Sequence, residues 1–301
     1  MSSDNRSNVR PRQQEDYVLL YDKPPGITSH DVVATVRRTL ARGTKVGHAG
    51  TLDPFATGLL LVLVGRATRV QRFLMALPKT YLATARFGAV STTGDPEGEI
   101  VETGIAPPGD LALPTGRVRQ TPPAYSAIKV GGRRAYALAR AGVEVALPER
   151  EVNVYRFDQQ WRAADRRGFV IECSSGTYVR SLIADLGDAY CEALRRTRIG
   201  SFDVADADPE RPVALQAALS FLPEVHLDDA EARRAGHGAT LGKKLALFPW
   251  GESDDSPGPA AGGAQVPYPP AGVVRLTDDD GLIALAEPQP GGGLKPIVGF
   301  R

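Results

Sequence analysis

Gly47-His48-Ala49-Gly50-Thr51-Leu52-Asp53-Pro54-Phe55-Ala56-Thr57-Gly58 runs directly into six apolar residues, Leu59 to Val64. The unbroken apolar run reads as a buried strand, so the segment before it is anchored in a core. Glycines at 47, 50 and 58 allow positive φ and close approach of a ligand to the backbone. Pro54 disfavours helical geometry at Asp53 and sets that carboxylate on a turn with a fixed direction. Such a loop presents one carboxylate and one imidazole, His48. Two readings follow from these residues: a catalytic device, or a tight turn whose Asp bonds its own backbone.

On the N-terminal side, Tyr17 to Tyr21 reads as a strand ending in the turn cluster Asp22-Lys23-Pro24-Pro25-Gly26. Thr28-Ser29 offers an N-cap for a helix over 30–42, with Val32, Val33, Val36 and Leu40 on one face. Residues 1–16 form a polar tail. On the C-terminal side, residues 66–77 carry helical periodicity with Val70, Phe73, Leu74 and Leu77 inward. Lys79-Thr80-Tyr81 opens a strand through Phe87, and alternation puts Tyr81, Ala83, Ala85 and Phe87 on one face. Taken alone, Tyr81 suits a half-buried strand aromatic as well as a catalytic group. A turn follows over residues 91–98, Ser-Thr-Thr-Gly-Asp-Pro-Glu-Gly.

Gln120-Thr121-Pro122-Pro123-Ala124-Tyr125-Ser126-Ala127-Ile128-Lys129 precedes a basic, glycine-bearing piece holding Arg133, Arg134, Tyr136 and Arg140. Arginines, a lysine and a tyrosine on a flexible element suit phosphates and unpaired bases; the same composition suits a solvated charged helix. Phe169 to Cys173 reads as a strand, and Ser174-Ser175-Gly176-Thr177-Tyr178-Val179-Arg180 turns into a helix for which Thr177 is the candidate cap. Its inward positions are Val179, Leu182, Ile183 and Leu186. Arg180 falls in the first turn, where its charge opposes the helix dipole, so a paired anion is expected. Leu194-Arg195-Arg196-Thr197-Arg198-Ile199-Gly200-Ser201-Phe202 comes next. After Leu222-Pro223 the chain turns acidic and rich in glycine and proline. Residues 251–271 read as a low-complexity loop, and 272–276 and 282–286 as short strands of a small β domain.

Composition narrows the classes. The 301 residues suit one large domain plus a small one, and 42% hydrophobic content permits a proper core. Two cysteines, Cys173 and Cys191, without a Cys-x-x-Cys pair, argue against a disulfide framework or a zinc site and point to a reducing cytoplasm. The first fifteen residues lack the apolar core of a secretory signal. No run approaches the roughly 18 apolar residues of a membrane helix. Net charge is +1, but residues 1–150 hold 20 Lys/Arg against 13 Asp/Glu, whereas 223–301 hold 7 against 11. The basic excess surrounds the loop and suits a polyanionic partner.

The loop resembles the catalytic loop of the TruB-type tRNA pseudouridine synthases, Gly-His-x-Gly-x-Leu-Asp-Pro-x-Ala-x-Gly. Four further blocks resemble that family in the same order over residues 17–202: Lys-x-Tyr at 79–81, Pro-Pro-x-Tyr-Ser-Ala-Ile-Lys at 122–129, Gly-Thr-Tyr-Val-Arg at 176–180, and Leu-Arg-Arg-Thr-x-x-Gly-x-Phe at 194–202. The resemblance implies an α+β fold. A mixed, mainly antiparallel sheet domain flanked by helices would span 17–222, with an RNA-clamping insert at about 126–150. A small β-rich PUA-like RNA-binding domain would span 223–301. It implies isomerisation of the T-loop uridine of tRNA (nucleotide 55) after base flipping, with neither cofactor nor metal. By the same resemblance Asp53 is the catalytic carboxylate, Arg180 holds it ionised, Tyr81 stacks on the flipped uracil, and His48 fills the gap left in the loop. Lys23, Lys129, Tyr178, Arg195 and Arg196 become expected RNA contacts. The partner is the tRNA T-arm, with no membrane, no required protein partner and a monomeric enzyme expected. Two rivals stand beside this: the guide-RNA-dependent branch, which usually has a shorter insert, and a non-catalytic RNA-binding protein on the same scaffold.

Overall fold

The strand Thr57–Val64 is buried from Gly58 onward because both of its faces are covered. In this computed structural model, which describes residues 16–126, 128–143, 147–242, 272–290 and 292–301, Leu59, Leu61 and Leu63 pack with Val18, Leu20, Phe73, Leu74 and Leu77. Leu60, Val62 and Val64 face the other way, onto Val32, Val33 and Val36. A strand roofed on both sides has no polar alternation to show. Of the expected tail at 1–16, residues 1–15 lie outside the described residues, as does the loop at 251–271, whereas Asp16 is tied down by an ion pair with Arg66.

In chain order, β1 (Tyr17–Lys23) leads to α1 (Ser29–Arg38), β2 (Val46–Ala49) and β3 (Thr57–Val64). A 3-10 turn over Gly65–Val70 precedes α2 (Gln71–Ala76) and β4 (Lys79–Phe87). The ribbon of β5 (Ala89–Ser91) and β6 (Ile100–Glu102), then β7 (Gly116–Gln120), the small hairpin of β8 (Lys129–Val130) and β9 (Arg133–Arg134), and α3 (Ala135–Arg140) follow. Next come β10 (Arg150–Ala163), β11 (Arg166–Cys173), α4 (Val179–Ala184), β12 (Ala189–Ile199), β13 (Phe202–Asp203), β14 (Val213–Ala214) and α5 (Leu215–Ala218). The last part holds β15 (Glu224–His226), α6 (Asp229–Gly236), β16 (Val274–Asp278), β17 (Gly281–Pro288) and β18 (Leu294–Gly299).

The main sheet is ten-stranded in the order β14-β1-β3-β12-β4-β11-β10-β7, with β2 added to β3 and β13 to β12. Its pairs are antiparallel except β12 on β3, which run parallel with Arg195 opposite Thr57 and Arg196 opposite Gly58. That one parallel contact fixes a glycine. Gly58 has φ +103, and a Cβ there would lie 2.2 Å from the Arg196 carbonyl oxygen. Both strain and overlap oppose a side chain, so Gly58→Ala is expected to cost at least about 2 kcal/mol. Urea unfolding checks this; a loss below about 0.5 kcal/mol would show that the β3–β12 crossing yields easily.

A second, four-stranded sheet, β15-β16-β17-β18, carries the C-terminal part. Its Leu276, Ile283, Ala284 and Ala286 enclose a core with Val225, Leu227 and Ala235. Val273, Leu285 and Phe300 instead join the core of the main sheet beside Val18 and Leu61. The mixed, mainly antiparallel architecture with a small C-terminal sheet is the expected fold class. Three local expectations change. α1 stops at Arg38, because the Thr39 N–H turns back onto Arg37 O and Val36 O. The periodic segment 66–77 splits into a 3-10 turn and a short helix, which stops where Leu77 precedes Pro78 and leaves helical geometry. Thr177 does not cap α4: its hydroxyl donates to Ser174 O at 3.0 Å.

Candidate active site

The segment between β2 and β3 is held from three sides. From α1, the Ser29 hydroxyl accepts from Leu52 N–H at 2.9 Å and donates to Leu52 O at 3.2 Å. From the end of β1, Lys23 Nζ donates to Pro24 O (2.9 Å), Ile27 O (2.8 Å) and Pro54 O (3.1 Å). From β12, Arg196 donates to Gly50 O at 3.0 Å and Leu59 O at 2.8 Å. The turn itself is closed by Ala56 N–H on Asp53 O at 3.1 Å. The Asp53 side chain is therefore free for another partner, and the self-capping reading of this turn falls away.

That partner is Arg180. Its Nε lies 2.9 Å from Asp53 Oδ2, and its Nη1 lies 3.0 Å from Asp95 Oδ2. Nη1 also donates to Thr93 O at 2.6 Å, and Nη2 to Tyr125 O at 2.9 Å. The Arg180 side chain is 3% exposed and that of Asp95 5%, whereas Asp53 is 33% exposed. One buried guanidinium thus carries a sealed carboxylate on one side and an accessible one on the other. Asp95 is itself fixed by the Thr93 hydroxyl at 2.6 Å and Glu97 N–H at 3.0 Å. The anion expected beside a cation in the first turn of a helix is present twice over.

Burial raises the Asp53 pKa above its ordinary 3.8, Arg180 opposes that rise, and Asp95 adds to it. Tyr81 lies on the buried face of β4 with Ala83, Ala85 and Phe87. Burial raises its phenol, the Arg196 charge opposes this, and the Asp53 charge adds to it, so the three groups share one environment. Among the described residues, no three His, Cys, Asp or Glu side chains come together as a metal site would require.

α4, which carries Arg180, begins at Tyr178 without a side-chain cap of its own. Gln120 at the end of β7 takes over. Its Oε1 accepts from Tyr178 N–H at 2.7 Å, and its Nε2 donates to Tyr178 O at 2.8 Å. Gln120 is 1% exposed. Gln120→Glu keeps the shape and removes the donor, setting a carboxylate against the Tyr178 carbonyl. A loss of about 1–3 kcal/mol in thermal or urea unfolding is expected; an unchanged midpoint would mean that α4 is held elsewhere.

The family model described as "TruB family pseudouridylate synthase (N terminal domain)" matches residues 37–179. The tRNA pseudouridine synthase B of Leifsonia xyli subsp. xyli is 44% identical over 262 residues, 77% of this chain and 84% of the relative. The chain belongs to the TruB family of pseudouridylate synthases. The same-named protein of an Arthrobacter species is 37% identical over 94% of this chain and 96% of its own length. Among solved structures, a Cbf5-Nop10-Gar1 complex contains a similar fold: TM-score 0.61, 24% identity, 95% of this chain and 84% of that one.

In this TruB-family chain, Asp53, Tyr81 and Arg180 come together as the sequence blocks imply, and two of the expected RNA contacts, Lys23 and Arg196, turn inward. Lys23 is fully buried, with its three donors on carbonyls, so it braces the Asp53 turn and presents no charge to a phosphate. Arg196 is 1% exposed and is likewise turned inward. Arg195 remains at the surface, but Asp22 holds it at 2.6 Å. The Lys129 side chain lies outside the described residues. Tyr178 is half-buried with the Arg150 guanidinium 4.6 Å over its ring. His48 is half-buried on β2, its Nδ1 lacks a partner, and burial together with Arg196 lowers its pKa, which keeps the imidazole neutral at pH 7. Asp95 and Gln120 are not site candidates on sequence grounds. Both stand in quoted segments, the turn over residues 91–98 and the stretch from Gln120 to Lys129, yet only the tertiary contacts reveal what they hold. No helix of the described residues is long and apolar enough to cross a membrane.

Proposed function

We propose that this chain isomerises the T-loop uridine of tRNA, nucleotide 55, to pseudouridine, with Asp53 as the reacting carboxylate. The reaction class is that of the family: the N1–C1′ bond breaks, the base turns, a C5–C1′ bond forms, and the C5 proton leaves as N1 gains one. Relatives 37–44% identical over most of the chain are tRNA pseudouridine synthases. The observation that carries the site assignment is the accessible Asp53 carboxylate on a loop braced from α1, the end of β1 and β12, ion-paired at 2.9 Å to a buried arginine.

Two routes start from that carboxylate, attack as a nucleophile or removal of a ribose proton, and both need it ionised. Burial raises the Asp53 pKa and the Arg180 charge opposes that rise, so the arginine favours the anion both routes need. Tyr81 stacks on the flipped uracil, worth roughly 1–3 kcal/mol. Flipping is required because the reacting atoms are inaccessible inside a stacked loop. His48 enters the vacated place as a neutral imidazole. In this reading Tyr178, Arg195 and Lys129 supply RNA contacts, the insert at about 126–150 serves as the RNA clamp, and the C-terminal sheet acts as a PUA-like RNA-binding domain. The enzyme works as a monomer, without protein partners.

The test uses purified protein and an unmodified tRNA transcript tritiated at C5 of uridine. One equivalent of tritium released, and none from a transcript with cytidine at position 55, is the expected result. Tight binding without release would overturn the enzymatic reading. Release only after adding a guide RNA and further proteins would assign the chain to the guide-dependent branch.

A further inference from the structure

Arg196 occupies an unusual position for a charged side chain. On β12 it stands opposite Gly58 of β3 on one side and Tyr81 of β4 on the other. Its guanidinium is buried, and its partners are carbonyl oxygens: Leu59 O at 2.8 Å, Gly50 O at 3.0 Å and Thr51 O at 3.4 Å. Two of these precede Asp53 and the third follows it, so one planar group clamps both ends of the Asp53 loop. Its neighbours are largely cationic or neutral: its charge disfavours protonation of Lys79, His48 and Lys23. A buried charge without a carboxylate partner is costly. Packing alone would be met by an apolar side chain of the same volume.

We propose that Arg196 is a positioning residue for the isomerisation, setting the Asp53 loop against the strand that carries Tyr81. The proposal rests on the assignment of Asp53 and Tyr81 made above. The geometry requires arginine because a planar fork addresses three divergent carbonyls at once, whereas a lysine ammonium is a single point. Leu52 and Ala56 of the loop share a core with Tyr81, and Arg196 ties that loop to the β12 backbone that pairs with Tyr81, so loosening it changes the Asp53–Tyr81 spacing. An error of about 1 Å in such spacing costs on the order of 100-fold in rate.

Single-turnover tritium release, tRNA Kd and Tm are measured for wild type, Arg196→Lys, Arg196→Met, Tyr81→Phe and the Arg196→Lys/Tyr81→Phe double variant. The expected result for Arg196→Lys is a rate at least ~100-fold lower with Kd within about threefold and the protein folded at the assay temperature. In the Tyr81→Phe background the further loss from Arg196→Lys is expected to shrink to below ~10-fold, because the two residues act through one geometry. A wild-type rate for Arg196→Lys overturns the proposal, as do strictly multiplicative effects in the double variant. Failure of both Arg196→Lys and Arg196→Met to fold overturns it too, by assigning the residue to stability alone. Absence of release from the wild type would instead strike at the pseudouridylation reading, which keeps the two failures apart.

Discussion

Asp53→Asn is expected to leave a folded protein that binds tRNA within a few-fold of wild type and releases no tritium above background. Asparagine matches the shape of aspartate, and the turn is closed by the Ala56–Asp53 backbone bond and by Ser29, Lys23 and Arg196, none of which uses the carboxylate. The loop should keep its form while losing its only reacting anion. Removal of a nucleophile or base typically costs several orders of magnitude in rate. Turnover by rapid quench and Kd by filter binding check this. Loss of binding in proportion to activity would make Asp53 a structural residue.

Arg180→Lys is expected to lower the rate by roughly 100- to 1,000-fold with tRNA affinity little changed. The guanidinium meets two carboxylates and two carbonyls, Thr93 O and Tyr125 O, from one buried plane. A single ammonium cannot serve all four. The pH dependence follows from the same contacts. Burial lifts the Asp53 pKa above 3.8, and Arg180 pulls it down. Activity needs the anion, so the wild-type rate falls as pH drops through that raised value. Weakening the Arg180 contact moves this acid limb to higher pH. A limb that stays in place while the rate falls would mean that Arg180 acts on the substrate and not through Asp53.

Some of this was legible before any tertiary contact was known. The uninterrupted Leu59–Val64 run, the Thr28 cap, and the alternation along 79–87 with Tyr81 inside are local patterns, and local patterns survive in the fold; that Asp31 completes a capping box is a finding of the structure. Arg180 illustrates the step beyond: a cation at a helix N-terminus demands an anion and the family resemblance supplies Asp53, but only the structure adds Asp95 as its second partner. Helix ends were less secure, because Thr39 and Pro78 terminate by backbone geometry that periodicity does not register.

The sequence by itself carried the five blocks that mark the family, and through that resemblance the mixed antiparallel fold with its small C-terminal β part and the grouping of Asp53, Tyr81 and Arg180, since spaced blocks are a property of the chain. Only the tertiary structure decided where each long cation points. Lys23, Arg195 and Arg196 look alike as basic residues beside the signature, yet one braces a turn, one sits in a surface ion pair, and one is buried against three carbonyls. The reason is physical. A side chain of four or five rotatable bonds reaches phosphate or backbone equally well, and the choice is made by which buried carbonyls would otherwise go unpaired.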